Sequence, residues 1–148
     1  MVVLSHCFPT GSLGWYVRKL ADAGLVAALT ATSPARLPHP TGGAPLVGTN
    51  PLAIAIPSSD GRPVVADVSM GAVTYGDVLR GAARPEELVS FGGEQAHKAF
   101  ALALGLDLLV GALAGEGYGA LLVVARPDAD PVPALRKRAS GLRLPGDA

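Results

Sequence analysis

A single cysteine, Cys7, stands in 148 residues. That excludes an intramolecular disulfide framework and leaves a thiolate zinc site without ligands. Aromatic residues are scarce, at 5%, so a base-stacking surface is not expected. Charge is scarce too, at 16%, and 12 basic residues balance 12 acidic ones. This excludes nucleic-acid binding that works by neutralising phosphates. Neither a GxGxxG segment nor a Walker-type loop is present, so a standard Rossmann or P-loop site is not expected. No cluster of residues has metal-ligand spacing, and no metal is expected. The longest apolar run, residues 99–115, falls short of the roughly 20 residues that span a bilayer and carries Asp107. A buried core helix is the expectation there, not a membrane span. Residues 1–9 lack a basic n-region and a cleavage-type site, so the cytoplasm is the expected compartment.

The chain is rich in apolar residues, at 49%, with 19 glycines and 13 prolines. This argues against disorder and for a single domain, 1–148. Residues 12–24 predict a helix: Ser12 is the N-cap, Leu13, Tyr16, Val17, Leu20 and Ala21 recur at helical spacing, and Gly24 is the stop. Residues 25–30, 52–56, 64–66 and 121–125 predict short strands, the second and third joined by the turn Ser58-Ser59-Asp60-Gly61. Residues 33–51, with five prolines and three glycines, predict loop. Residues 68–81 lean towards helix and residues 83–93 towards a connecting loop. Residues 95–113 predict a helix that is apolar nearly all round beyond Lys98, which implies burial on several sides. Residues 127–133 predict loop, and Arg136, Lys137 and Arg138 a solvated basic end. The order of elements points to an α/β protein.

Six places carry candidate chemistry. His6 lies at a predicted strand end, as a general acid near neutrality or as a hydrogen-bonded structural histidine. Cys7 beside it points to the opposite strand face, a poor arrangement for a nucleophile pair. His39, between two prolines, reads as a loop residue. Lys98 at a helix start can meet a phosphate or carboxylate beside free helix amides, or face solvent. Thr49 and Asn50 fix a polar turn or touch a ligand. Asp67 closes a strand, where it can accept ribose hydroxyls or cap the next helix.

These motifs together resemble the type-2 malate/L-lactate dehydrogenases. Ser5-His6-Cys7-Phe8 followed by Gly14-Trp15-Tyr16 resembles the family's Ser-x-His-Phe strand end and Gly-Tyr-Tyr helix. Thr30-Ala31-Thr32-Ser33-Pro34 is similar to its Thr-Asn-Ser-Pro segment, and Pro45-Leu46-Val47-Gly48-Thr49-Asn50-Pro51 to its Pro-Leu-Leu-Gly-Thr-Asn-Pro. Asp67-Val68-Ser69-Met70 resembles Asp-Met-Ala-Thr, and His97-Lys98-Ala99-Phe100 the Lys-Gly-Tyr helix start.

The resemblance implies an α/β fold with a mixed sheet and flanking helices, a non-Rossmann NAD(P)-binding domain. The whole chain would be its cofactor-binding portion, and the family's N-terminal substrate-holding and dimerisation portion would have no counterpart. It implies NAD(P)H as cofactor, contacted by Ser33, Asp67, Val68, Ser69 and Lys98, with Thr49 and Asn50 at the substrate or in the turn. It implies His6 as acid/base in the reduction of a 2-oxo acid or cyclic imino acid. Strict register puts Cys7 where the family has its histidine, with His6 one place early. The alternative is a degenerate relative without redox activity, acting as a partner subunit or a cofactor-free cyclase. A homo-oligomer, or a hetero-oligomer with a related chain, is expected, with no nucleic acid and no membrane.

Overall fold

The computed structural model describes residues 1–147. Its centre is a five-stranded sheet of β1 (Val2–Ser5), β2 (Val26–Ala31), β5 (Leu52–Ile56), β6 (Val64–Val68) and β7 (Gly119–Ala125), in the order β1-β7-β2-β5-β6. A two-stranded ribbon, β3 (Leu37–Pro38) with β4 (Pro45–Val47), stands apart from it. Among the described residues there are also four α-helices, α1 (Leu13–Asp22), α2 (Tyr75–Leu79), α3 (Ala96–Ala114) and α4 (Val132–Arg138), and two short 3-10 turns, Pro85–Glu87 and Gly93–Gln95.

The α/β architecture with flanking helices is as expected, but the sheet is antiparallel at every pairing instead of mixed. Locally, β1-α1-β2 is a parallel crossover, yet its strands do not touch. The last strand, β7, slots between them and runs against both. This is the split form of a βαβ unit.

Helix α1 covers one face. Leu13, Val17 and Ala21 fall on one stripe and pack on Ala27, Leu29 and Ala31 of β2, Ala53 and Ala55 of β5, and Ala120 of β7. Alternation along each strand puts these residues on the same side. The alanines let the helix sit close, and full burial of Leu13 or Val17 contributes about 1.5–3 kcal/mol each. A second cluster joins Leu37, Val47, Met70 and Leu88 to Phe100 and Ala103 of α3.

Helix α3 lies on the opposite face, where a Cβ on Gly119 would touch Ala114 and Val110. The expectation of burial on several sides is corrected: Leu102, Leu108, Leu109 and Leu113 are exposed, because no other described element reaches that side. By length and composition Gly93–Ala114 would be enough to cross a bilayer. Here it is a sheet-packed helix through Phe100, Ala103 and Val110.

Three further expectations change. The loop at 33–51 contains the β3–β4 ribbon. Of residues 68–81 only Tyr75–Leu79 is helical; Thr74 and Asp77 form a reciprocal capping box that starts it. The basic end is not solvated throughout. Arg136, on α4, is 13% exposed and ion-pairs with Asp60 at 3.3 Å and Asp147 at 2.8 Å. This docks the tail on the free edge of β6, where Val65 N–H donates to the Pro145 carbonyl.

Candidate functional site

The pairings place one end of all five strands together. Ser5 lies opposite Gly119, Ala31 opposite Ala120, Thr30 opposite Leu52, and Leu52 opposite Val68. His6 and Cys7 leave β1 there, Thr32 and Ser33 leave β2, Thr49 and Asn50 enter β5, and Asp67, Val68 and Ser69 finish β6. Residues far apart in sequence, such as His6 and Val68, therefore border one rim.

His6 has φ +55°, an uncommon conformation for a residue with a Cβ. It breaks the strand alternation, so Cys7 turns back and packs against the α1-side core. Cys7 N–H donates to the Tyr118 carbonyl and closes this turn. The inward place is thus taken by Cys7, and His6 is exposed at the mouth. Both line a cleft of about 340 Å³, with Leu4, Leu13, Tyr16 and Leu122 as its apolar walls. Tyr16 is held by a hydrogen bond from its hydroxyl to the Thr10 carbonyl.

Asn50 is fully buried with φ +29°. Its Nδ2 donates to the Ala103 carbonyl and to Asp107, both at 2.9 Å, and its Oδ1 accepts Ser33 N–H at 3.1 Å. One side chain therefore ties the exit of β2 to α3. The Ser33 hydroxyl accepts Thr49 N–H. Gly48 is obligatory here, since a Cβ would lie 2.3 Å from the Ser33 carbonyl. Of the two roles open to Asn50 in the sequence, the turn-fixing one is what the geometry displays.

Asp67 Oδ2 accepts Ser12 Oγ–H at 2.8 Å and Gly14 N–H at 2.7 Å. It caps a helix, but the helix is α1 and not the next one along the chain. A carboxylate at a helix N-terminus is electrostatically favourable there. Ser69 accepts Gly71 N–H with its hydroxyl. Lys98 stands apart from this rim, on the first turn of α3, two residues before Phe100, which packs in the cluster with Met70. It is exposed and has no ion-pair partner among the described residues. No acidic residue occupies the first turn of α3, and the N–H of Ala96, its first residue, donates to the Gly93 carbonyl of the preceding turn.

A phosphate-bearing dinucleotide calls for a cation, free amides and hydroxyl groups. Lys98 carries a cation of that kind on α3, and Ser33 and Ser69 carry the hydroxyls at the rim. His39 lies away from the rim, bonded to Thr41 with its ring edge on Phe100. Sequence reasoning missed Tyr16 as a cleft wall and Asp107 as the partner of Asn50. The signal for Asp107 was available: it is the lone acidic residue in a long apolar helix.

Comparison with known proteins identifies the family and the fold. Residues 1–90 match the family described as malate/L-lactate dehydrogenase. A Delta(1)-pyrroline-2-carboxylate reductase of Pseudomonas fluorescens is 32% identical over 139 positions, covering 78% of this chain and 40% of its own length. A (2R)-3-sulfolactate dehydrogenase (NADP(+)) of Chromohalobacter salexigens is 40% identical over 75 positions, covering 51% of this chain and 22% of its own. Among solved structures, a dehydrogenase of Sinorhizobium meliloti superposes with a TM-score of 0.78 at 28% identity, covering 93% of this chain and 55% of that one. The delta1-piperideine-2-carboxylate reductase of Pseudomonas syringae superposes with a TM-score of 0.73 at 26% identity, covering 92% and 56%. The chain thus spans about 40% of the length of that pyrroline-2-carboxylate reductase and about 55% of the solved chains. With more than half of its residues in the family match and its fold shared with solved members, the chain belongs to the malate/L-lactate dehydrogenase family.

Proposed function

We propose that this chain is the dinucleotide-binding portion of an NAD(P)H-dependent reductase acting on a C=N or C=O bond beside a carboxylate, in a cyclic imino acid or a 2-oxo acid. The observation that supports this reading is the common rim: His6, Ser33 and the Asp67–Ser69 segment lie along one end of the sheet, with His6 beside an apolar cleft at its β1 side. Lys98 would hold phosphate, Ser33 and Ser69 would donate hydrogen bonds, and Oδ1 of Asp67 would accept from a ribose hydroxyl. The bound dinucleotide supplies a hydride. His6 supplies the proton: as the substrate carbon gains the hydride, the imidazolium N–H gives its proton to nitrogen or oxygen. The double bond becomes an amine or an alcohol, and His6 is left neutral.

Calorimetric titration with NADH and NADPH, with and without a cyclic imino acid, tests this. Saturable binding of either nucleotide, lost in Lys98→Ala, is the expected result. Neither binding nor oxidation of the nucleotide in the presence of either substrate class would sink it.

One observation favours a second reading, a family member without redox chemistry. The inward position is held by Cys7, whose thiol is a weak hydrogen-bond donor, and not by an imidazole. Under that reading His6→Ala and Lys98→Ala leave the protein's function intact.

A further inference from the structure

The two edges of the main sheet are treated differently. The β6 edge is covered: Val65 N–H donates to the Pro145 carbonyl, and Arg136 holds that tail through Asp60 and Asp147. Among the described residues no strand pairs with the outer edge of β1. Exposed edges are ordinarily blunted by a charge, a proline or a bulge. Val2-Val3-Leu4-Ser5 has no charge and no proline, and its register against β7 runs unbroken from Val2 to Ser5. Val2, Val3 and Leu4 are 47%, 37% and 44% exposed.

Apolar surface continues on both sides of this edge. Helix α1 sits over β2, β5 and β6, and on that face Leu4 is left in the floor of the His6 cleft. On the opposite face α3 packs against β1 and turns Leu102, Leu109 and Leu113 to solvent. Their spacing of seven and then four residues sets them on one stripe. The exposed area is also too large for a lone chain. A folded monomer of 14.9 kDa is expected to expose about 7,000 Å², and this chain exposes 8715 Å², roughly 1,700 Å² more. A standard interface takes about 800 Å² from each partner, so the excess is enough for a stable dimer.

We infer that the β1 edge is a two-fold interface between copies of this chain, in which β1 pairs antiparallel with β1 of a second copy and the sheet runs on across both. An isologous contact sets one patch against itself. A strand without charged side chains suits that, because no like charges face each other across the axis. The net charge of zero adds no long-range repulsion. In a pair centred on Val3, Val2 of one protomer lies opposite Leu4 of its partner. The axis is then perpendicular to the sheet, so both α3 helices lie on the same face and bring their leucine stripes to one side of the dimer. The second copy also stands at the β1 side of the His6 cleft. The inference is independent of hydride transfer and stands or falls whether or not a nicotinamide nucleotide binds.

The test is sedimentation equilibrium of the whole chain over about 1–100 μM, with amide hydrogen exchange at both ends of that range. A species of twice the chain mass is expected at the upper end, with the amides of Val2–Leu4 protected there and exchanging faster on dilution. Val3→Lys places two ammonium groups at the axis and should weaken self-association by about 100-fold or more, while the dilute monomer keeps the wild-type unfolding midpoint. Leu79→Lys, at a 69% exposed position on α2, should leave self-association unchanged. A monomer throughout the range, larger open assemblies in place of a dimer, a dimer undiminished in a folded Val3→Lys or equally weakened by Leu79→Lys, or exchange at Val2–Leu4 that does not depend on concentration would overturn the inference. The exchange measurement uses the wild type alone and so stands even where Val3→Lys does not fold.

Discussion

The carboxylate of Asp67, at the end of β6, accepts the backbone N–H of Gly14 at 2.7 Å, across 53 residues of chain. This contact sets the distance between α1 and the sheet. A Cβ on Gly14 would lie 2.8 Å from Asp67 Oδ2 and 3.0 Å from its Cβ. Gly14→Ala is therefore expected to destabilise the fold by about 1–3 kcal/mol, despite the better helix propensity of alanine. Asp67→Ala removes the cap and is expected to cost about 1 kcal/mol. Urea unfolding of both variants checks this; a more stable Gly14→Ala would show that the helix can move away from the sheet freely.

Asn50→Asp probes the buried junction with α3. The variant loses both Nδ2 donations and sets a second carboxylate against Asp107. Like charges at hydrogen-bond distance raise the pKa of the pair, and the folded state then binds more protons than the unfolded one. Stability should accordingly be lowest at neutral pH and recover as the pH falls towards the carboxylate range, opposite to the wild type. Thermal unfolding followed against pH reads the sign directly.

The tail latch gives the wild type its own pH dependence. Hydrogen bonds from Leu144 N–H and then from Arg136 hold the Asp147 carboxyl below the usual carboxylate range. Those from Arg62 N–H and the Ser58 hydroxyl do the same for Asp60. A depressed folded pKa means that the unfolded chain binds more protons in that window. The stability of the latch is thus present above the ordinary carboxylate pKa and lost as pH falls through the lowered one. Arg136→Met should lower the unfolding midpoint at neutral pH and flatten its acid dependence. An unchanged acid limb in that variant would assign the dependence elsewhere.

Register at the first motif is open to a direct experiment on activity. His6→Ala should reduce any reductase turnover by about 10²–10⁴-fold, the usual contribution of a positioned acid. Cys7→His places an imidazole at the inward position and is expected to raise turnover, most of all in the His6→Ala background. Steady-state oxidation of the nucleotide distinguishes the two positions.

The helices α1 and α3 and most sheet strands were legible as apolar periodicity, because their cores are built from residues close in sequence. Strand direction was not: β1-α1-β2 reads as a parallel unit until β7 is placed between its strands. Residues 68–81 carry apolar content that looks helical, but Met70 and Val73 are used to pack against the β3–β4 ribbon and α3 instead. Arg136 looked like a solvent-facing charge because one partner, Asp60, is 76 residues away. The site residues were legible as motifs, while their roles were not. That Asp67 spends an oxygen on α1, and that Asn50 reaches Asp107, depends on contacts between distant segments.

The placement of β7 has a consequence for how the protein comes off the ribosome. Strand β1 pairs with β7, so Val2–Ser5 find their partner only after residues 119–125 have been made and released from the exit tunnel. Until then β1 and the outer edge of β2 present unpaired backbone, the state most open to association with neighbouring chains. His6 and Cys7, which leave β1, thus reach the geometry described above only once β7 is in place.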